Sequence, residues 1–157
     1  MFRELTRKSQ QLSEEECIEI LTNETRGTLS VTGDNGYPYG MPMNHFYNPD
    51  DGCIWFHCGM NGHRTDSLKR DDRVSFCVCD KGCRKEGWAF TVKSVIVFGR
   101  AQLICDADTA VDITTRLSRK FTSDEEYIRK ELKDAADRTL LIRLVPEQVC
   151  GKIVTEA

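Results

Sequence analysis

Short runs of β-branched and aromatic residues, each cut off by a tight-turn signal, constrain this chain more than any other feature. "RGTLSVT" gives way to "GDNG" at residues 33–36, and "YPYGMPMNHFY" gives way to "NPDDG". Gly, Asn and Asp favour such turns because they accept positive φ or bond their own backbone. "CIWFHC" and "RVSFCVCD" read as further strands, and "KGCRKEG" as a loop. "WAFTVKSVIVFGRAQLIC" is a long strand in which Gly99 predicts a kink or bulge. Pro38 and Pro42 cannot donate to a ladder, so their strand is expected at a sheet edge. "TLLIRLVPEQVCGKIV" closes the chain as one or two strands.

Helices are few. Ser13 with Glu16 forms a capping box, and Cys17, Ile20 and Leu21 follow on one face, so a helix is expected over about 12–24. A short helix is expected from Gly62 to Arg70, and two helical stretches precede the last strand. Ser123 with Glu126 predicts a capping box for the second of these, a surface helix over 123–138 with Glu126 facing Lys130. Strands joined by tight turns, with few helices, predict a mainly β domain whose antiparallel sheet curls into a barrel. No repeat, linker or low-complexity stretch divides the 157 residues, so a single domain over 1–157 is expected.

Charge narrows the partners. The net charge is −3 with 30 % charged residues, which provides no basic field for nucleic acid. No run approaches the ~20 apolar residues of a membrane span, and the N-terminus has no apolar leader, so a cytoplasmic protein is expected. Eight cysteines in a chain without a secretion signal read as reduced thiols. Cys77, Cys79 and Cys83 lack the paired-knuckle spacing of structural zinc, and no metal is expected.

The chemistry concentrates in "FHCGMNGHRTDSL", residues 56–68, where a strand breaks at two glycines and turns helical beside His57, His63 and Arg64. Helix-start N–H groups, close backbone approach at glycine and a cation together make an anion site. The same residues also suit a basic surface turn. Likewise His57 suits a structural histidine, and the Met41/Met43 alternation suits one face of a half-buried strand. His45 could fall on either face.

The order of segments adds a likeness to these alternatives. "GYPYGMPMNHFY", a turn, "IWFHCGMNGHRTDSLKRDDRVSFCV" and "SVIVFGRAQLI" together resemble the flavin-binding split barrels of the pyridoxamine 5′-phosphate oxidase-like superfamily. The Nim-type, nitroimidazole-resistance branch is the nearest likeness, carried by His57, Gly59, Gly62, Arg64, Asp66 and Leu68. The likeness spans about residues 12–155. It implies an antiparallel split β-barrel homodimer holding FMN in grooves between subunits. Met41, Pro42, Met43 and Asn44 match the strand lining the isoalloxazine, and Phe56 and His57 match the next strand's approach to it. Gly62, His63 and Arg64 match the phosphate-holding turn, and Ser94 the polar position on the long strand. His57 is the candidate catalytic residue, with hydrogen bonding to the flavin as its expected role.

The likeness further implies an FMN-dependent oxidoreductase that passes electrons from NAD(P)H to a small acceptor, a nitroaromatic such as a 5-nitroimidazole among them. Arg64 stands where many members carry lysine, which keeps the charge and changes the donor geometry. The sequence stops at Ala157, before any tail with the Trp and Arg residues used on the vitamin substrate, so pyridoxamine phosphate oxidation is not expected. The alternatives are a flavin- or haem-binding sensor or carrier without strong turnover, and a β-barrel dimer with an empty groove.

Overall fold

The computed structural model describes residues 2–84, 87–135 and 139–156. Among these residues eight strands form: β1 (Arg26–Thr32), β2 (Pro38–Asn44), β3 (Phe46–Asn48), β4 (Cys53–Gly59), β5 (Arg73–Cys79), β6 (Cys83–Arg84), β7 (Phe90–Ile104) and β8 (Thr139–Glu156). Among the described residues four α-helices accompany them: α1 (Glu14–Asn23), α2 (His63–Arg70), α3 (Ala107–Ser118) and α4 (Glu125–Ala135). The sheet runs β2-β1-β5-β7-β8-β4-β3, with β6 paired to β7. Every pairing is antiparallel.

The two ends of that order, β2 and β3, are consecutive in the chain and separated only by His45. So short a link forces the sheet to curl until its edges meet, which makes a split barrel. Pro38 and Pro42 sit on the edge strand, as their missing N–H groups require. β7 and β8 run side by side along nearly their whole lengths, and their register slips between Phe98 and Gly99. An added Cβ at Gly99 would collide with the Val145 carbonyl oxygen, so only glycine admits β8 there.

Period-two alternation fills the barrel. Leu29, Ile54, Phe56, Phe76, Val95, Val97, Ile142 and Leu144 lose all contact with solvent in one cluster. The inner residues of α1, Cys17, Ile20 and Leu21, join the same cluster. A second cluster gathers Cys53, Trp55 and Leu141 under Ala110 and Ile113 of α3. Among the described residues no helix is long and apolar enough to cross a membrane.

Two local expectations are corrected. The α1 capping box forms, with Ser13 Oγ accepting from the Glu16 N–H at 3.2 Å and Glu16 Oε2 from the Ser13 N–H at 3.0 Å. The Ser123/Glu126 box does not. Asp124 Oδ1 instead accepts from the N–H groups of Glu126 (3.1 Å) and Tyr127 (2.9 Å), so the cap lies one residue later. A carboxylate that bonds two orphan donors, next to the positive helix end, outcompetes a hydroxyl. The end of the expected helix, 136–138, lies outside the described residues. The "KGCRKEG" stretch is also not wholly loop, because Cys83 and Arg84 pair with Thr91 and Phe90. Asp80 pins that turn by accepting the N–H groups of Gly82 (3.0 Å) and Lys93 (2.9 Å).

Candidate functional site

β4 ends at Gly59 and α2 begins at His63, so the intervening turn carries the chain round a polar hollow. Gly62 enters the helix with φ 134°, a conformation that disfavours every residue with a Cβ. No side chain caps this first turn. The Gly62 carbonyl accepts the Thr65 hydroxyl (2.8 Å) and the Asp66 N–H (3.0 Å). That leaves the amides of His63, Arg64 and Thr65 as donors for which an α-helix has no acceptor of its own.

A cavity of about 150 Å³ opens here, lined by Tyr39, Cys58, Gly59, Gly62, His63 and Arg64, with Asn61 and Thr65 completing it. A Cβ built at Gly59 or Gly62 would meet no protein atom within 4 Å, so the glycines leave this approach open. Uncapped amides, a guanidinium and bare glycine backbone are the donor set a phosphate needs, and the residues therefore fit the terminal anion of a mononucleotide. The hollow is small against the roughly 300–1,000 Å³ of whole-ligand pockets. It suits an anion and its tether, and a flavin ring would have to lie outside it.

Arg64 is half-buried, and its Nε lies 3.2 Å from Met41 Sδ. Its charge reaches both neighbours on β4. Burial lowers the pKa of His57, and Arg64 lowers it further. Although His57 keeps solvent-accessible surface, the surrounding protein disfavours its charged form, so it stands neutral near pH 7. Burial raises the pKa of the Cys58 thiol, and Arg64 opposes that shift.

His63 is engaged elsewhere. Its ring stacks on Tyr39 with centroids 4.3 Å apart and planes 11° apart. Its Nε2 lies 3.4 Å from Asp34 Oδ2, and Arg70 Nη2 holds Asp34 Oδ1 at 2.7 Å. These contacts lower the pKa of Asp34, Arg70 more than His63.

The other sequence-expected residues separate by strand face. Met41 and Met43 are 5 % and 6 % exposed and pack in the core. Of the strand matched to the isoalloxazine, these two side chains therefore face the core in the single chain. The outward face of β2 carries the exposed Pro42 and the half-buried Asn44, which accepts from Arg26 Nε at 3.0 Å. Phe56 is fully buried, edge-on to Phe76 at 5.1 Å between centroids. Burying a Phe ring stabilises by roughly 1.5–3 kcal/mol, so the core claims this side chain and only its backbone remains for a ligand. Ser94 lies on β7 between Cys79 and Lys152, half-buried, and does not line the cavity. The structure thus brings Gly62, His63 and Arg64 together, with His57 within reach of Arg64's charge.

His45 is no site residue. It is wholly buried and its Nε2 lies 2.9 Å from the Leu21 carbonyl oxygen. All eight cysteines are free thiols, and among the described residues no three His, Cys, Asp or Glu side chains group as metal ligands. Sequence reasoning missed Tyr39 and Asp34. Tyr39 was signalled by period two, since it shares a face with Met41. Asp34 was read only as turn chemistry.

Comparison with known proteins gives the family and the fold. The family model described as pyridoxamine 5′-phosphate oxidase matches residues 13–153. Comparison with curated proteins gave no match. Among solved structures the chain is similar to a candidate 5-nitroimidazole antibiotic resistance protein from Bacteroides thetaiotaomicron. That likeness has a TM-score of 0.77 and 18 % identity, covering 92 % of this chain and 87 % of the other. An FAD-binding protein from Mesorhizobium loti aligns with TM-score 0.63 and 24 % identity, over 92 % and 97 % of the two chains. An FAD- and haem-binding protein from Mycobacterium smegmatis aligns with TM-score 0.72 and 19 % identity, over 94 % and 74 %.

Proposed function

This chain belongs to the pyridoxamine 5′-phosphate oxidase family, and from that premise we propose that it is an FMN-dependent oxidoreductase. The electron donor is NAD(P)H and the acceptor a small molecule of the nitroaromatic kind. One observation carries the reading: the uncapped N-terminus of α2 and the Arg64 guanidinium converge on one polar hollow. The flavin- and FAD-related neighbours support it at the level of fold.

In this reading the backbone amides of α2 and Arg64 hold the phosphate, whose charge close to −2 calls for strong donors. FMN, when bound, supplies the redox chemistry that side chains lack. Pro42 and Asn44 on β2, with the backbone around Phe56, orient the ring, and Ser94 reaches it from β7 of one subunit or the other. His57, neutral by burial and by the nearby Arg64, serves as a hydrogen-bond partner to the flavin rather than as a stored proton. Because the hollow holds only the anion end, the ring lies in a groove completed by a second copy of the chain.

A second reading, a haem- or flavin-binding protein without turnover, draws on the same His57, since a neutral, solvent-accessible imidazole is a competent iron ligand. The visible spectrum of freshly purified protein separates the two. Flavin bands that bleach on anaerobic mixing with NADH or NADPH are expected. A Soret band would favour the second reading, and a colourless protein that takes up no added FMN would refute both. His57→Ala should keep the fold and lose flavin affinity or turnover.

A further inference from the structure

We propose that Asp34, in the β1–β2 turn, is the positioning residue of the anion site: its one carboxylate fastens both ends of α2 and so sets where Arg64 and the first-turn amides point. The inference rests on the mononucleotide reading of that site. His63 and Arg70 are the first and last residues of an eight-residue helix, two turns apart and therefore on one face. Asp34 Oδ2 meets His63 and Oδ1 meets Arg70, at 3.4 and 2.7 Å. Arg70 Nη2 is steadied in turn by Ser67 Oγ at 3.2 Å. The grip continues past the helix, where Thr32 at the end of β1 donates to Asp71 Oδ2 at 3.1 Å.

Each element around the clamp restricts the same motion. Tyr39 stacks on the His63 ring, and Gly33 has no room for a Cβ, which would lie 2.9 Å from Tyr39 Cβ and from the Tyr37 carbonyl. A helix held at both ends of one face cannot turn about its axis, so the opposite side of its first turn stays aimed into the hollow. His63 Nε2 already lies 3.4 Å from that carboxylate, whereas among the described residues Arg64 has no carboxylate partner, so Arg64 is the cation left to meet an anion.

Two effects of removing the carboxylate oppose each other. Losing a negative charge near the site would strengthen anion binding, but Asp34 is 61 % exposed, so water and salt screen that gain. Losing the clamp lets the donors scatter, and hydrogen bonds to charged groups depend steeply on geometry. The clamp term must be the larger for the proposal to hold, which the sign of the affinity change decides. The test compares FMN with riboflavin, which lacks the phosphate, by fluorescence titration of the full-length protein and its Asp34→Asn and Asp34→Glu variants. Asp34→Asn should weaken FMN roughly 3- to 10-fold and leave riboflavin unchanged, while Asp34→Glu restores most of the loss. A merely structural role would weaken both ligands equally, and an FMN affinity that stays constant or rises would overturn the proposal. Arg70→Met, which cuts one arm of the clamp from the far end of the helix, should act in the same direction as Asp34→Asn. If wild-type protein binds neither ligand, the mononucleotide reading fails and the clamp's purpose with it. If it binds both and neither variant alters their ratio, the clamp alone fails.

Discussion

At the scale of residues, histidine takes three different physical states in this chain. His63 is an exposed stacked ring tied to a carboxylate, His57 is neutral beside a guanidinium, and His45 is sealed in the core. His45 makes the sharpest solution prediction. Burial above all, with Lys120 adding to it, lowers its pKa to about 4, against the upward pull of its bond to Leu21. Its Nδ1 finds no partner among the described residues. Unfolded, the ring titrates near 6.5, so between these values the unfolded chain binds the additional proton. Stability therefore falls as pH drops below 6.5, by about 2 kcal/mol between pH 7 and pH 5. Urea denaturation at the two pH values should show this loss, and His45→Gln, which keeps a donor for Leu21, should flatten it. An equal slope in both proteins would assign the acid sensitivity to other groups.

At the scale of elements, caps and bulges offer separate tests. Asp124→Ala should lower stability by about 1 kcal/mol, or roughly 2–4 °C in Tm, while Ser123→Ala leaves it within about 0.5 kcal/mol. The reverse ranking would restore the Ser123 capping box. Most strands, the edge position of β2, the Gly99 irregularity and the α1 box were legible in sequence, because each depends on local chemistry: period two, a missing N–H, a missing Cβ, a Ser-x-x-Glu spacing. The break of "YPYGMPMNHFY" into β2 and β3 at His45, and β6 inside "KGCRKEG", were not. The α4 cap was not, since Ser123 and Asp124 are adjacent candidates and only the geometry of the chain's arrival selects between them. Side-chain facing at the site was half legible. Period two puts Met41, Met43 and Phe56 on one set of faces, but which face meets the core depends on how the sheet curls. The Asp34 clamp joins a turn to a helix about thirty residues on, and no local pattern announces it.

At the scale of the whole molecule, the outer face of β5 and β7 keeps apolar surface exposed. Ile96 and Phe98, each 37 % exposed, stand on that face beside Cys77 and Ser75. Paired apolar exposure of this kind supports burial by a second copy, which the small hollow also calls for. Light scattering coupled to gel filtration should give twice the chain mass, and Ile96→Asp should give the single-chain mass together with weakened flavin binding. A wild-type monomer that still binds FMN tightly would remove the intersubunit groove from the account. Arg64 and the α2 amides together receive a mononucleotide's phosphate in the proposed function, and fluorescence titration of Arg64→Gln against wild type tests that most directly. FMN should bind at least about tenfold more weakly to the variant while riboflavin binds equally to both. Equal FMN affinity in the two proteins would contradict it.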